Sequence, residues 1–144
     1  MKLSPDEAFG LGIVHLGTIN KLESAVLKKV LAPGDIVLDI GAYVDGWYTL
    51  LAGKLVGKTG QVYSFEPHPL YFQRLEENIT LKRLTNVTPV MLGISDRNGT
   101  AKFYEAGGAS SLLKSQAERF TPIAKEMTIQ TCTLNKFLKE NCVR

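Results

Sequence analysis

Two acidic residues sit at the ends of two short apolar runs. Asp39 closes Ile36–Ile40 just before Gly41, and Glu66 follows Gln61–Phe65 and precedes Pro67. A carboxylate can accept from two neighbouring hydroxyls at once, which suits a vicinal diol such as that of ribose. A glycine beside it lets a ligand approach the backbone where a Cβ would intrude. Strand, glycine turn, helix, strand and acidic tip is how an α/β sheet holds the ribose of an adenine cofactor. The chemistry indicated is recognition of a nucleoside-bearing small molecule. Glu66 is the stronger candidate, with an exposed strand-end acid or helix cap as its plainer reading. Asp39 either anchors the loop or reaches the cofactor's amino group. Pro67 fixes the chain direction and removes a competing amide donor.

The elements that must position these residues follow from the hydrophobic pattern. Ser4, Pro5 and Glu7 signal a helix start, weakened by Gly10, Gly12 and Gly17. A second helix opens at Asn20 and Glu23, with Leu22, Val26 and Val30 at helical spacing, and Ala32–Gly34 breaks it. Ile36–Ile40 is near-continuously apolar, the composition of a strand covered on both faces. Tyr48, Leu51, Ala52 and Leu55 mark one face of a helix ended by Gly57 and Gly60. Phe72, Leu75 and Ile79 mark another, and Asn86 opens a third strand through Val90 and Leu92. This order predicts a right-handed, parallel β-α-β-α-β arrangement.

Beyond Asp96 the pattern changes. Asn98-Gly99 reads as a tight turn that pairs Thr100–Tyr104 with the segment before it, an added antiparallel hairpin. Ser115–Met127 is ambiguous because Pro122 interrupts a weak helix. Thr128–Thr133 alternates as a strand, and Leu134, Phe137 and Leu138 mark a short final helix.

Composition narrows the function classes. With 22% charged and 44% apolar residues the chain reads as one globular domain of 144 residues. The formal charge of +3 is spread without blocks, so nucleic-acid binding has little electrostatic support. The longest apolar stretch, Ala8–Ile19, is too short to span a bilayer. Ser4–Glu7 contradict a signal peptide. Cys132 and Cys142 lack metal-ligand spacing, so no metal is expected, and reduced thiols in a cytoplasmic protein are the default.

Several other signals are weaker. Gly93, Ile94 and Ser95 follow the third strand, either as an adenine contact or as a turn. His68 lies near the cofactor edge by position, although a loop histidine is more often solvated, and His15 reads as a packing residue. Gly53–Thr59 lacks the first glycine and the preceding strand of a phosphate loop. Asn78-Ile79-Thr80 matches a glycosylation sequon but falls on a predicted helix.

The stretches LAPGDIVLDIGAYVDGWYTLLAGKLVGKTGQVYSFEPHPLYFQRLEENI, NVTPVMLGISDRNGTAKFY, GGASSL and TLNKFL resemble the FkbM-type family of S-adenosylmethionine-dependent methyltransferases. The resemblance covers about residues 31 to 140. It implies an α/β fold, a Rossmann-like class I methyltransferase sheet, with 1–33 as N-terminal helices and 34–144 as a partial domain. It implies S-adenosylmethionine as cofactor, held by Asp39, Gly41, Tyr43, Gly46, Glu66 and Pro67. It also implies methylation of a hydroxyl on a small-molecule or glycan acceptor; no catalytic base is assigned.

The family's loop runs D-x-G-A-N-x-G, whereas DIGAYVDG is one residue longer. Tyr43 replaces the usual Asn or Gly, and Asp45 or Gly46 takes the third position. Asp45 either caps the helix starting near Gly46, or it joins the Tyr43 ring in narrowing the cofactor pocket. The family continues past TLNKFL with further strands, so the resemblance implies an incomplete C-terminal half and an exposed edge on Ile36–Ile40. The expectation is a partial enzyme, inactive alone or completed by a second copy or another chain. The competing readings are a non-catalytic remnant and a nicotinamide-dependent enzyme, for which G-x-G-x-x-G is lacking.

Overall fold

The computed structural model describes residues 21–120 and 124–143. The expected helix at Ser4–Glu7, the cap at Asn20 and the packing role of His15 lie outside the described residues. The chain divides into two compact units, at Met91 and Leu92.

In the first unit, α1 (Lys21–Val30) leads to β1 (Ile36–Ile40), α2 (Trp47–Val56), β2 (Gln61–Phe65), α3 (Pro69–Leu81) and β3 (Val87–Val90). The sheet order is β1-β2-β3 and both pairings are parallel, as the pattern predicts. The register sets Asp39 opposite Ser64 and Phe65 opposite Val90. Helix faces on one side of this sheet bury Leu50, Val56, Leu75 and Ile79 against Val62 and Val87. Pro69 begins α3, where its missing N–H costs nothing. Asn86, just before β3, donates to the Gly53 and Gly57 carbonyls, both at 2.8 Å, and so closes the end of α2. Gly53 lies inside that helix, packed so tightly that a Cβ would come within 2.7 Å of Val87.

One expectation of this unit needs correction: Ile36 and Ile40 are 47% and 53% exposed, so β1 is not covered at its ends. The helix expected from Leu22, Val26 and Val30 forms as α1, and these three side chains are exposed. What α1 buries is Ser24, whose hydroxyl accepts the Trp47 indole N–H at 3.0 Å and ties α1 to the start of α2. Leu22 and Val26 help line an open groove of ≈ 420 Å³ with Val37 and Tyr48. Among the described residues no helix is long and apolar enough to cross a membrane.

The second unit contains β4 (Gly93–Ile94), β5 (Gly99–Glu105), α4 (Lys114–Ala117), β6 (Lys125–Cys132) and α5 (Leu134–Glu140), with sheet order β4-β6-β5. The hairpin expected at Asn98-Gly99 is not what forms. β5 pairs antiparallel with β6, from Gly99–Thr131 to Glu105–Lys125, and β4 pairs parallel with β6. The reason is length: β6 offers an eight-residue partner, whereas the segment before Asn98 offers a two-residue strand. Asn98 serves another role, accepting the Thr133 N–H at 3.0 Å, while Thr133 caps α5 through Lys136. Gly93 and Ile94 form β4 of this sheet, and the Ser95 N–H just after it donates to the Cys132 carbonyl at 3.0 Å. Cys132 is buried and Cys142 exposed, both as free thiols.

Candidate functional site

The tips of β1 and β2 meet in the first unit. Past the end of β1, the N–H groups of Gly41 and Ala42 both donate to the Phe65 carbonyl, at 2.9 and 3.0 Å. This holds the loop after β1 against the end of β2, where Glu66 emerges. The next three loop residues turn sharply. Tyr43 adopts φ 58, left-handed backbone that a bulky residue seldom takes, and Gly46 adopts φ 55.

Gly46 is the N-cap of α2, so Asp45 stands one place before the cap and does not fill it. A Cβ on Gly46 would lie 2.4 Å from Leu75 Cδ1, so a side chain here must displace the end of the buried Leu75. Gly41, at φ 88, differs: a Cβ there would meet nothing within 4 Å. Its face opens onto free space, the feature expected where a ligand approaches backbone.

Glu66 is 4% exposed. Its Oε2 accepts the Tyr43 N–H at 2.9 Å and its Oε1 accepts the His68 N–H at 2.8 Å. Pro67 between them has no N–H to give, so the amide that reaches back is His68's. Burial pushes the Glu66 carboxyl above its usual value, the amides of His68 and Tyr43 pull it down, and the nearby Asp39 charge raises it.

Asp39 is held differently. Its Oδ2 accepts the Thr49 hydroxyl at 2.5 Å, and the same hydroxyl lies 2.5 Å from the buried Ser64 hydroxyl. Burial raises the Asp39 carboxyl, opposed by hydrogen bonds from the Thr49 side chain and amide. The two carboxylates therefore sit on adjacent strand ends, one tied to the first turn of α2 and one to the loops on either side of it.

An aromatic group covers this end of the sheet. The Tyr43 ring meets Tyr71 edge-on with centroids 4.8 Å apart, and Tyr71 stacks on His68 at 4.1 Å. His68 is 4% exposed, which corrects the expectation of a solvated loop histidine. Asn78 is fully buried and donates to the Val44 carbonyl at 3.2 Å, anchoring the far half of the loop. The sequon reading is thereby displaced by a structural one.

Of the residues singled out from sequence, Asp39, Gly41, Tyr43, Gly46, Glu66 and Pro67 all come to this one end of the sheet. Sequence reasoning missed Thr49, Tyr71 and Asn78. Thr49 had a usable signal, a hydroxyl in the first turn after the glycine loop. Tyr71 and Asn78 had none, since the contact of each with the loop, to Tyr43 and to the Val44 carbonyl, is distant in the chain. Among the described residues no group of three His, Cys, Asp or Glu side chains could hold a metal ion.

A family model described as the methyltransferase FkbM domain matches residues 39–143. No curated protein matches the chain. Among solved structures, a SAM-dependent methyltransferase from Aquifex aeolicus is 26% identical, with 62% of this chain and 48% of that one covered and a TM-score of 0.45. TYW2 of M. jannaschii in complex with AdoMet is 30% identical, with 48% and 31% covered and a TM-score of 0.43. A SAM-dependent O-methyltransferase from Thermotoga maritima is 12% identical, with 84% and 70% covered and a TM-score of 0.49. The chain thus spans less than half the length of the first two.

Proposed function

Because the chain belongs to the FkbM methyltransferase domain family, whose cofactor is S-adenosylmethionine, we propose that the end of the sheet at Gly41 and Glu66 is its cofactor site. The observation that carries the proposal is the joint position of Asp39 and Glu66 on adjacent strand tips beside the open face of Gly41. These residues fit such a ligand. Glu66 supplies acceptors for a ribose diol, and Gly41 leaves room for the methionine part. Asp39 supplies negative charge toward an amino group and, through Thr49, fixes where α2 begins. Tyr43, Gly46 and Pro67 shape the loop and the acid's approach.

When bound, the cofactor supplies a methyl carbon already activated by its sulfonium. The protein's part is then to position an acceptor and exclude water. The acceptor proposed from the family resemblance is a hydroxyl oxygen of a sugar or small metabolite. No base for that hydroxyl is assigned.

Calorimetry with S-adenosylmethionine, S-adenosylhomocysteine and NAD tests the reading. The first two should bind and NAD should not. Glu66→Ala should weaken S-adenosylmethionine by about 1–3 kcal/mol, the loss of two buried contacts. Binding of none of the three overturns the enzyme reading in favour of a remnant that keeps the fold. Selective NAD binding favours the nicotinamide-dependent alternative.

A further inference from the structure

The acid proposed to receive the ribose is already engaged by the protein itself. One Glu66 oxygen takes the Tyr43 amide and the other takes the His68 amide, and the side chain is 4% exposed. A carboxylate has about four acceptor directions. Two remain here in principle, but hydroxyls must reach them, and the loop backbone at Tyr43 lies against this carboxylate. The contacts that hold Tyr43 in its left-handed conformation include its amide on Glu66 and its ring on Tyr71. Left-handed backbone is unfavourable for a residue with a Cβ, so loss of either contact weakens the hold on the segment.

The part that can move is short. Val44 is buried at 1% exposure and its carbonyl is held by Asn78. Gly41, by contrast, has open space in front of it. A pivot at Gly41 would carry Ala42 and Tyr43, breaking the 3.0 Å bond from the Ala42 N–H to the Phe65 carbonyl, while Val44 stays in place.

Resting on the cofactor reading above, we infer that the loop described here is a self-closed state of the site. S-adenosylmethionine reaches Glu66 only after the Gly41–Tyr43 segment swings out and the Tyr43 ring leaves Tyr71. The Tyr43 amide occupies, in the closed state, an acceptor that the ribose takes in the open one. The apparent affinity is then the intrinsic affinity scaled by the open fraction. The insertion that makes this loop one residue longer than DxGANxG supplies the slack for both positions.

The test uses the full chain. Trp47, its single tryptophan, directly follows Gly46 and reports on the loop. S-adenosylhomocysteine is mixed with the protein in a stopped-flow fluorimeter, and calorimetry supplies the affinity. The observed rate should level off with ligand concentration at the opening rate. Tyr43→Ala and Tyr71→Ala should each raise that plateau and tighten binding roughly two- to tenfold, the range set by an aromatic pair. Either variant suffices should the other fail to fold. A rate that climbs linearly without a plateau, with neither variant binding more tightly, overturns the closed loop. Glu66→Gln separates the two readings. Lost binding in Glu66→Gln, with both tyrosine variants unchanged, removes the closed loop and keeps the site; unaltered binding in Glu66→Gln removes the site, and the inference with it.

Discussion

Thr49 donates its hydroxyl to Asp39 at 2.5 Å while lying 2.5 Å from Ser64, so one side chain links β1, β2 and the first turn of α2. This bridge places the acid of the first strand relative to the helix that follows the glycine loop. It also makes Thr49 a buried residue whose hydroxyl cannot be lost without leaving a carboxylate poorly satisfied.

Thr49→Val keeps the shape and removes the hydroxyl. It should destabilise the protein by about 1–3 kcal/mol, because the buried partners lose a hydrogen bond that water cannot replace. Thr49→Ser should recover most of the loss. Urea unfolding midpoints check this; an unchanged midpoint in Thr49→Val would show that the bridge does not contribute.

Asp39 is raised by burial, and the sign of its effect on stability follows. The folded chain holds the ionised form less favourably than the unfolded chain does. Its destabilising contribution is therefore absent below the ordinary carboxylate value and fully present once pH exceeds the raised folded value. Asp39→Asn removes this contribution whatever constant offset the amide introduces. The difference in Tm between Asp39→Asn and the unaltered protein should shift in the variant's favour as pH rises through that window and then level off. A difference independent of pH refutes the account.

Gly46→Ala should cost about 2–4 kcal/mol, since it adds a left-handed Cβ and forces it into Leu75. The steric share is separable. In the double variant Gly46→Ala/Leu75→Ala the cost should be less than the sum of the single costs. Strict additivity would show that Leu75 does not crowd this position.

Gly41→Ala meets no neighbour, so its structural cost should be only the backbone penalty of about 1–2 kcal/mol. Its effect on S-adenosylmethionine should exceed tenfold, because the new Cβ projects into the open face proposed for the ligand. Full affinity in a folded Gly41→Ala protein, measured by calorimetry, would place the ligand elsewhere.

Much of this arrangement was legible from local signals. The alternation of apolar runs with helical spacing, and the breaks at Pro33-Gly34, Gly57 and Gly60, set out β1, α2, β2, α3 and β3 in order. The positions of Asp39 and Glu66 at strand ends followed directly. Other features were not legible because local pattern does not say what covers a face. The apolar run Ile36–Ile40 predicts a strand covered on both faces, yet its two ends are exposed, and the Asn98-Gly99 signal did not bring β5 back onto the preceding segment.

Sequence alone determined the parallel strand order, the two acids and the glycine loop between them, because strand and helix periods and turn residues act over a few positions. Tertiary structure decided how those acids are used. Glu66 lies 23 positions from the Tyr43 amide it accepts, and Asn78 lies 34 from the Val44 carbonyl it holds. Whether a carboxylate faces a ligand or its own loop depends on contacts of that range, where packing and desolvation outweigh local preference.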